Sequence, residues 1–112
     1  MKLNRREKGG VVVFDLYGDM YADEKGELLQ AVDSLGEEGR LNLVINLSRV
    51  KRIASNGIGV LVAAQSRYAR HGGALKIAGA NERVLSVLEI TRLKLLFDIR
   101  PTEDEAVSAL EA

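Results

Sequence analysis

The side chain best placed to do chemistry is Ser55, in the stretch Arg49-Val50-Lys51-Arg52-Ile53-Ala54-Ser55-Asn56-Gly57-Ile58-Gly59. The preceding run Leu43-Val44-Ile45 is apolar and the following run is helix-like, so the hydroxyl falls at a helix mouth. There it has two possible uses. It can cap the free amides of the first turn, or it can accept phosphate, which would set about −1.5 to −2 charges against the positive end of the helix. Arg49, Lys51 and Arg52 form a basic cluster beside it that could hold a phosphate or an acidic partner, or could simply be a solvated loop. Arg67 and Arg70 extend that cluster if their helix face turns the same way.

Other reactive groups are few. His71 is the single histidine and precedes Gly72-Gly73, where an imidazole suits the negative end of a helix better than acid-base work. With no cysteine there is no thiolate nucleophile, thiolate metal site or disulfide, which is compatible with a reducing cytoplasm. The glycines match neither the phosphate-cradling loop nor the dinucleotide fingerprint, and the acids show no metal-ligand spacing. No hydrolase triad can be assembled, so no enzyme activity, cofactor or metal is expected.

The elements that must position Ser55 follow from pattern. Leu3 to Glu7 and Val11 to Tyr17 flank Lys8-Gly9-Gly10 as a hairpin. Leu28, Leu29, Val32 and Leu35 recur at helical spacing within a helix from Ala22 to about Glu38. Leu41 to Leu47 reads as a strand buried on both faces, and Asn56 to Arg70 as the second helix. Ala74 to Ala78 is the next strand, followed by a helix capped by Asn81 and ending near Ile90. Leu95 to Ile99 is expected as the last strand. Thr102-Glu103-Asp104-Glu105 supplies a capping box for a final helix with Ala106, Val107 and Leu110 inward. The order ββαβαβαβα predicts an α/β fold, a mostly parallel sheet with an antiparallel N-terminal edge hairpin.

The 112 residues suit one domain, spanning 1–112. Sixteen basic and sixteen acidic side chains cancel, so recognition must be local, and nucleic acid is not an expected partner. The longest apolar runs fall far short of the roughly 20 residues of a membrane span, so no direct membrane insertion is expected. On the helix after Ser55, Ile58, Leu61 and Val62 can face the sheet. Val60, Ala63 and Ala64 then lie where they could join Asn56, Gly57 and Gly59 in a docking patch, unless neighbouring helices cover them.

The segments VVVFDLYGDM, LVINLSRVKRIASNGIGVLV, RHGGALKIAG and LKLLFDIRPTEDEAVSAL, taken in order, resemble the STAS domains of bacterial anti-sigma factor antagonists over nearly the whole chain. The middle segment is similar to the family pattern of an apolar strand, Asp-Leu-Ser, a loop, then Asp-Ser-Ser/Thr-Gly-Leu-Gly. By that resemblance Ser55 corresponds to the serine phosphorylated by a partner anti-sigma kinase, Asn56 to the next hydroxyl residue, and Gly57 and Gly59 to the two glycines. Ala54, Asn46 and Tyr21 stand where the family often has aspartates, and Arg92 where a glycine often ends the third helix.

The resemblance implies a cytoplasmic binding module that docks on an anti-sigma factor serine kinase and is released by phosphate on Ser55. Its partner surface would comprise Asn56, Gly57, Ile58, Gly59, Val60 and Ala64 with Arg49, Lys51 and Arg52. The alternative is a structural or regulatory subunit of an ABC transporter ATPase or a stress-signalling assembly. From another class, a small enzyme or nucleotide binder would use His71 or Ser55.

Overall fold

In the computed structural model, residues 1–21, 26–92 and 95–111 are described. The chain runs β1 (Lys2–Lys8), β2 (Val11–Tyr17), α1 (Glu27–Glu37), β3 (Asn42–Arg49), α2 (Ser55–Arg70), β4 (Ala74–Ala78), α3 (Glu82–Ile90), β5 (Asp98–Arg100) and α4 (Glu103–Glu111). The five strands form one sheet in the order β1-β2-β3-β4-β5. Only the β1–β2 pair is antiparallel. The hairpin turns on Gly9 and Gly10, both at positive φ (58° and 83°), as a tight two-residue connection demands. This is the α/β order expected from the sequence.

Two apolar layers sandwich the sheet. On one face α1, α2 and α3 bury Leu28, Val32, Leu35, Leu61, Tyr68, Val84 and Leu88 against Phe14, Leu43, Ile45 and Ile77. On the other, α4 alone covers Val11, Val13, Val44 and Ala78 with Ala106 and Val107. A strand covered on both sides has no solvent face. That is why β2 is buried from Val11 through Leu16 and why Leu43-Val44-Ile45 does not alternate. The Tyr68 hydroxyl donates to the Arg40 carbonyl at 2.6 Å, fixing the far end of α2 to the chain entering β3, and burial raises that phenol to about 12.

β1 is an edge strand held by charge. Arg5 donates to Glu38 at 3.1 and 3.2 Å, Arg40 pairs with Glu7, and Lys8 pairs with Glu103 and Asp104 on α4. α4 itself starts as expected, the Glu105 N–H donating to the Thr102 hydroxyl at 3.2 Å. Asn81 caps α3 by accepting from the Val84 N–H at 2.8 Å.

Two expectations about elements change. The start assigned to α1, Ala22 to Lys25, lies outside the described residues, and the described helix begins at Glu27, after Gly26 at φ 65°. The last strand is Asp98–Arg100 rather than Leu95 to Ile99. Leu95 is 87% and Leu96 48% exposed, and of the apolar run only Phe97 is buried among the described residues. Register decides this. Ile99 pairs beside Ile77, and Asp98 lies opposite Lys76, with which it forms an ion pair. Those contacts outweigh the strand propensity of the leucines.

The chain leaves α3 through Arg92, which adopts φ 60°. A Cβ in the left-handed region costs about 1 kcal/mol, which glycine avoids. Arg92→Gly is therefore expected to raise the thermal midpoint by about 3 to 5 °C. A scan by circular dichroism checks it, and a lowered midpoint would show that the arginine side chain contributes more than the strain costs.

Candidate functional site

The site lies at the carboxyl ends of β2 and β3, where parallel strands hand the chain to loops on one side of the sheet. Residues Gly18 to Met20 zip onto the loop after β3. The Gly18 N–H donates to the Arg49 carbonyl at 3.3 Å, the Met20 N–H to the Arg52 carbonyl at 2.9 Å, and the Ala54 N–H to the Met20 carbonyl at 3.0 Å. Met20 and Ile53 form an isolated parallel bridge. With Met20 fully buried and Ile53 8% exposed, two small apolar anchors hold both loops to the core.

α2 rises directly from this seam. Its N-cap is Ala54, extended at φ −108° and ψ 174°, with no side-chain cap. Ser55 is therefore the first helical residue, not the cap, and of its two possible roles capping is not the one it takes. It is exposed, and its hydroxyl has no hydrogen-bond partner among the described residues. Asn56, Gly59, Lys51 and Arg52 are exposed around it, while Ile58 and Val60 are half-buried against the core. The first turn of α2 carries no acid. Free first-turn amides, the helix dipole and two nearby cations all favour an anion at this point.

Gly57 is buried at the closest approach of helix and loop. A Cβ there would fall well inside contact distance of the Met20 carbonyl oxygen, 2.8 Å from the carbonyl carbon and 3.1 Å from Ile53 Cγ1. Only glycine lets α2 start this near to Met20. Gly57 is thus a spacer and Ala64, at 0% exposure, a core residue, so neither offers the surface contact expected of it. The inward stripe of α2 is Gly57, Leu61, Ala64 and Tyr68, which leaves Ile58 and Val62 at its margins rather than facing the sheet squarely. A period of 3.6 residues allowed either phase, and the close approach at Gly57 selects this one.

The basic cluster also differs from expectation. Lys51 and Arg52 are exposed in the loop that leads into Ser55, and Arg49 lies over the Tyr17 ring, 5.6 Å from its centroid. Arg67 does not extend the cluster: twelve residues along a helix is about 18 Å, and it is bound to Asp33 on α1 at 2.9 Å. Arg70 lies in the same last turn. His71 caps that end, its ring against Gly36 of α1 and its Nε2 3.5 Å from Asp33.

Two parts of the site were not read from residue pattern, the first being named only through the family resemblance. The first is the 18–21 loop, which brings Tyr21, 49% exposed, beside the α2 mouth. Its signal was topological, since neighbouring parallel strands must deliver neighbouring loops. The second is Asp15, 5% exposed within β2. Arg6 donates to both its oxygens, at 2.5 and 2.8 Å, and Asn46 Nδ2 donates at 2.8 Å. Arg6 also binds Glu103 of α4, while Asn46 Oδ1 accepts from the Ser48 N–H at 3.1 Å. The network ties the hairpin, β3 and α4 together just ahead of the Arg49–Ala54 loop. Chiefly the Arg6 hydrogen bonds, against the pull of burial, hold the Asp15 carboxyl below its usual range. An acid inside the apolar run Val-Val-Val-Phe-Asp-Leu was the available clue, because a buried carboxylate requires partners.

Among the described residues no group of three or more His, Asp or Glu side chains is placed to hold a metal ion, and no helix is long and apolar enough to cross a membrane. The STAS domain model matches residues 2–106. The chain belongs to the STAS domain family. This STAS domain is 34% identical over 73 residues to the anti-sigma-B factor antagonist of Bacillus subtilis, a match spanning 65% of this chain and 66% of that protein, just under two thirds of its length. The crystal structure of the protein TM1081 from Thermotoga maritima superposes with a TM-score of 0.84 at 24% identity, covering 98% of this STAS domain and 95% of that chain. The Bacillus cell fate determinant SpoIIAA in its phosphorylated form gives 0.67 at 16% identity, covering 96% and 98%. These likenesses establish the fold.

Proposed function

We propose that this STAS domain is an anti-sigma factor antagonist, a non-catalytic module whose α2 mouth docks on an anti-sigma factor of the serine-kinase type in the cytoplasm and thereby frees a sigma factor. Phosphate on Ser55 ends the contact. The observation that carries the reading is the exposed, uncommitted Ser55 hydroxyl at the first position of α2, beside Lys51 and Arg52 and the half-buried Ile58 and Val60. The names of the relatives support it, one being an anti-sigma-B factor antagonist and another a determinant known in a phosphorylated form.

The switch is local. The kinase transfers the γ-phosphoryl group of ATP: the Ser55 Oγ–P bond forms, the bond from Pγ to the bridging oxygen breaks, ADP leaves, and the hydroxyl proton is released. Amides, dipole and cations stabilise the phosphate in the free domain, so the fold persists. Docking, by contrast, would strip water from a doubly charged group with no partner provided for it, and affinity falls.

Incubation with candidate kinases and ATP, followed by mass spectrometry, is expected to place phosphate on Ser55 and none on Ser55→Ala. The phosphorylated protein should bind its kinase at least about tenfold more weakly, with a thermal midpoint within about 2 °C of the unmodified form. Absence of phosphate from Ser55 with every kinase that binds would remove the switch. Recovery of a transporter ATPase in place of a sigma-regulating kinase in a pull-down would replace the partner.

A further inference from the structure

The far edge of the sheet, opposite β1, is β5. Among the described residues five large apolar side chains are exposed, and three of them, Ile90 at 81%, Leu95 at 87% and Leu96 at 48%, lie on the chain that leads from α3 into β5. β5 has a neighbour on one side only. A concavity of about 410 Å³ separates it from α3, and another of about 440 Å³ lies between it and α4, so the strand is open on both flanks.

Backbone direction defines what the edge offers. The Gly79 N–H donates to the Arg100 carbonyl at 3.4 Å, so Arg100 and, two residues back, Asp98 turn their backbone groups toward β4. Alternation then turns the Ile99 N–H and C=O outward, away from the sheet. Charged edges ordinarily discourage strand pairing. Here the sequence Asp98-Ile99-Arg100 reverses its sign about Ile99, so it opposes most strands and complements its own copy run antiparallel.

We infer that β5 is a self-association edge at which two copies of this chain pair antiparallel about Ile99, joining two five-stranded sheets into one. The two Ile99 residues exchange both backbone hydrogen bonds across the two-fold axis. Within each copy Arg100 binds Asp98 at 2.8 and 3.2 Å; in the pair that bond is exchanged for one across the axis, Asp98 of each copy facing Arg100 of the other at the close, non-hydrogen-bonded positions where side chains interact best. This surface is separate from the α2 mouth, so it stands whether or not the proposed partner does.

Sedimentation velocity of the full chain is expected to show a concentration-dependent dimer. D98R and R100D each place like charges opposite one another and should weaken the dimer at least about tenfold. An equimolar mixture of the two should recover it, because one copy then presents only arginines and the other only aspartates. The double variant D98R/R100D restores complementarity within one sequence and should dimerise again. A parallel measurement on the unmodified chain guards against misfolded variants: protection of the Ile99 amide from hydrogen exchange should rise with protein concentration. A wild-type monomer at all concentrations up to about 1 mM, singles that dimerise as the wild type does, a mixture that stays monomeric, or Ile99 protection independent of concentration would each overturn the inference.

Discussion

Gly57→Ala is expected to cost about 2 to 4 kcal/mol of folding stability and to lower the thermal midpoint by about 10 °C or more. An alanine ordinarily strengthens a helix by about 1 kcal/mol relative to glycine, so the propensity effect has the opposite sign. Geometry wins because the new methyl group meets backbone rather than a flexible side chain. The Met20 carbonyl must move, and with it go the hydrogen bond from the Ala54 N–H at 3.0 Å and the seam between the 18–21 loop and the start of α2. Partner binding should suffer more than stability, since Tyr21 and Ser55 would no longer keep their relative positions. Chemical denaturation of the variant, with Gly59→Ala as a control whose new Cβ meets nothing within 4 Å, checks the prediction. Equal effects at positions 57 and 59 would refute it.

The second large effect is expected at Asn46. Asn46→Asp replaces a donor to Asp15 by a second carboxylate at the position of a 2.8 Å hydrogen bond. Two such groups cannot both ionise at low cost, so one takes up a proton with its pKa raised well above the unfolded value. A raised native pKa contributes stability below the unfolded value that is lost as pH rises through the native one. The variant's deficit should therefore be about 2 kcal/mol at pH 7 and shrink toward pH 4. Asn46→Ala, which removes the bond without adding charge, should cost about 1 kcal/mol with little pH dependence over the same range. Urea midpoints from pH 4 to 8 separate the two variants. Asparagine at this position is thus explained by its neighbour: Asp15 already supplies the carboxylate, and only an amide can donate to it.

The wild-type protein should show the opposite slope in acid. Asp98 is lowered to about 2, first by its hydrogen bond from Arg100 and then by Lys76, and Asp15 and Glu103 are lowered by Arg6. A depressed native pKa contributes stability above the unfolded value, near 4, that is lost as pH falls through the native one. The urea midpoint should be nearly level between pH 7 and 5 and fall between about pH 4 and pH 2. A midpoint that holds level to pH 2 would show that these pairs add nothing.

Most of the architecture was legible because it rests on local signals. The Gly9-Gly10 turn, the unbroken apolar run of β3, Asn81 and Thr102 as caps and the glycines after His71 all act over a few residues. β5 was misplaced because its position is decided by a partner 22 residues earlier, Lys76, and by the fit of Ile99 beside Ile77. At the site, Ser55, Asn56, Gly59, Lys51 and Arg52 could be placed from sequence. The phase of α2 could not, since the contact between Gly57 and Met20 joins α2 to a loop from which α1 and β3 separate it in the chain. Asp15 was readable only as an anomaly, because nothing in its own segment names Arg6 or Asn46 as its partners.

The ion-paired outer margin of β1 limits how far any assembly can grow. Arg5, Glu7 and Lys8 are already committed to Glu38, Arg40, Glu103 and Asp104 of the same molecule. A strand arriving there would have to displace neutralised pairs and find replacements of its own, whereas at β5 the Asp98–Arg100 pair of each copy is replaced by its equivalent from the other. A two-fold junction at the opposite margin leaves two such blunt margins facing outward, one from each copy, so the product is a closed pair that cannot seed a fibre.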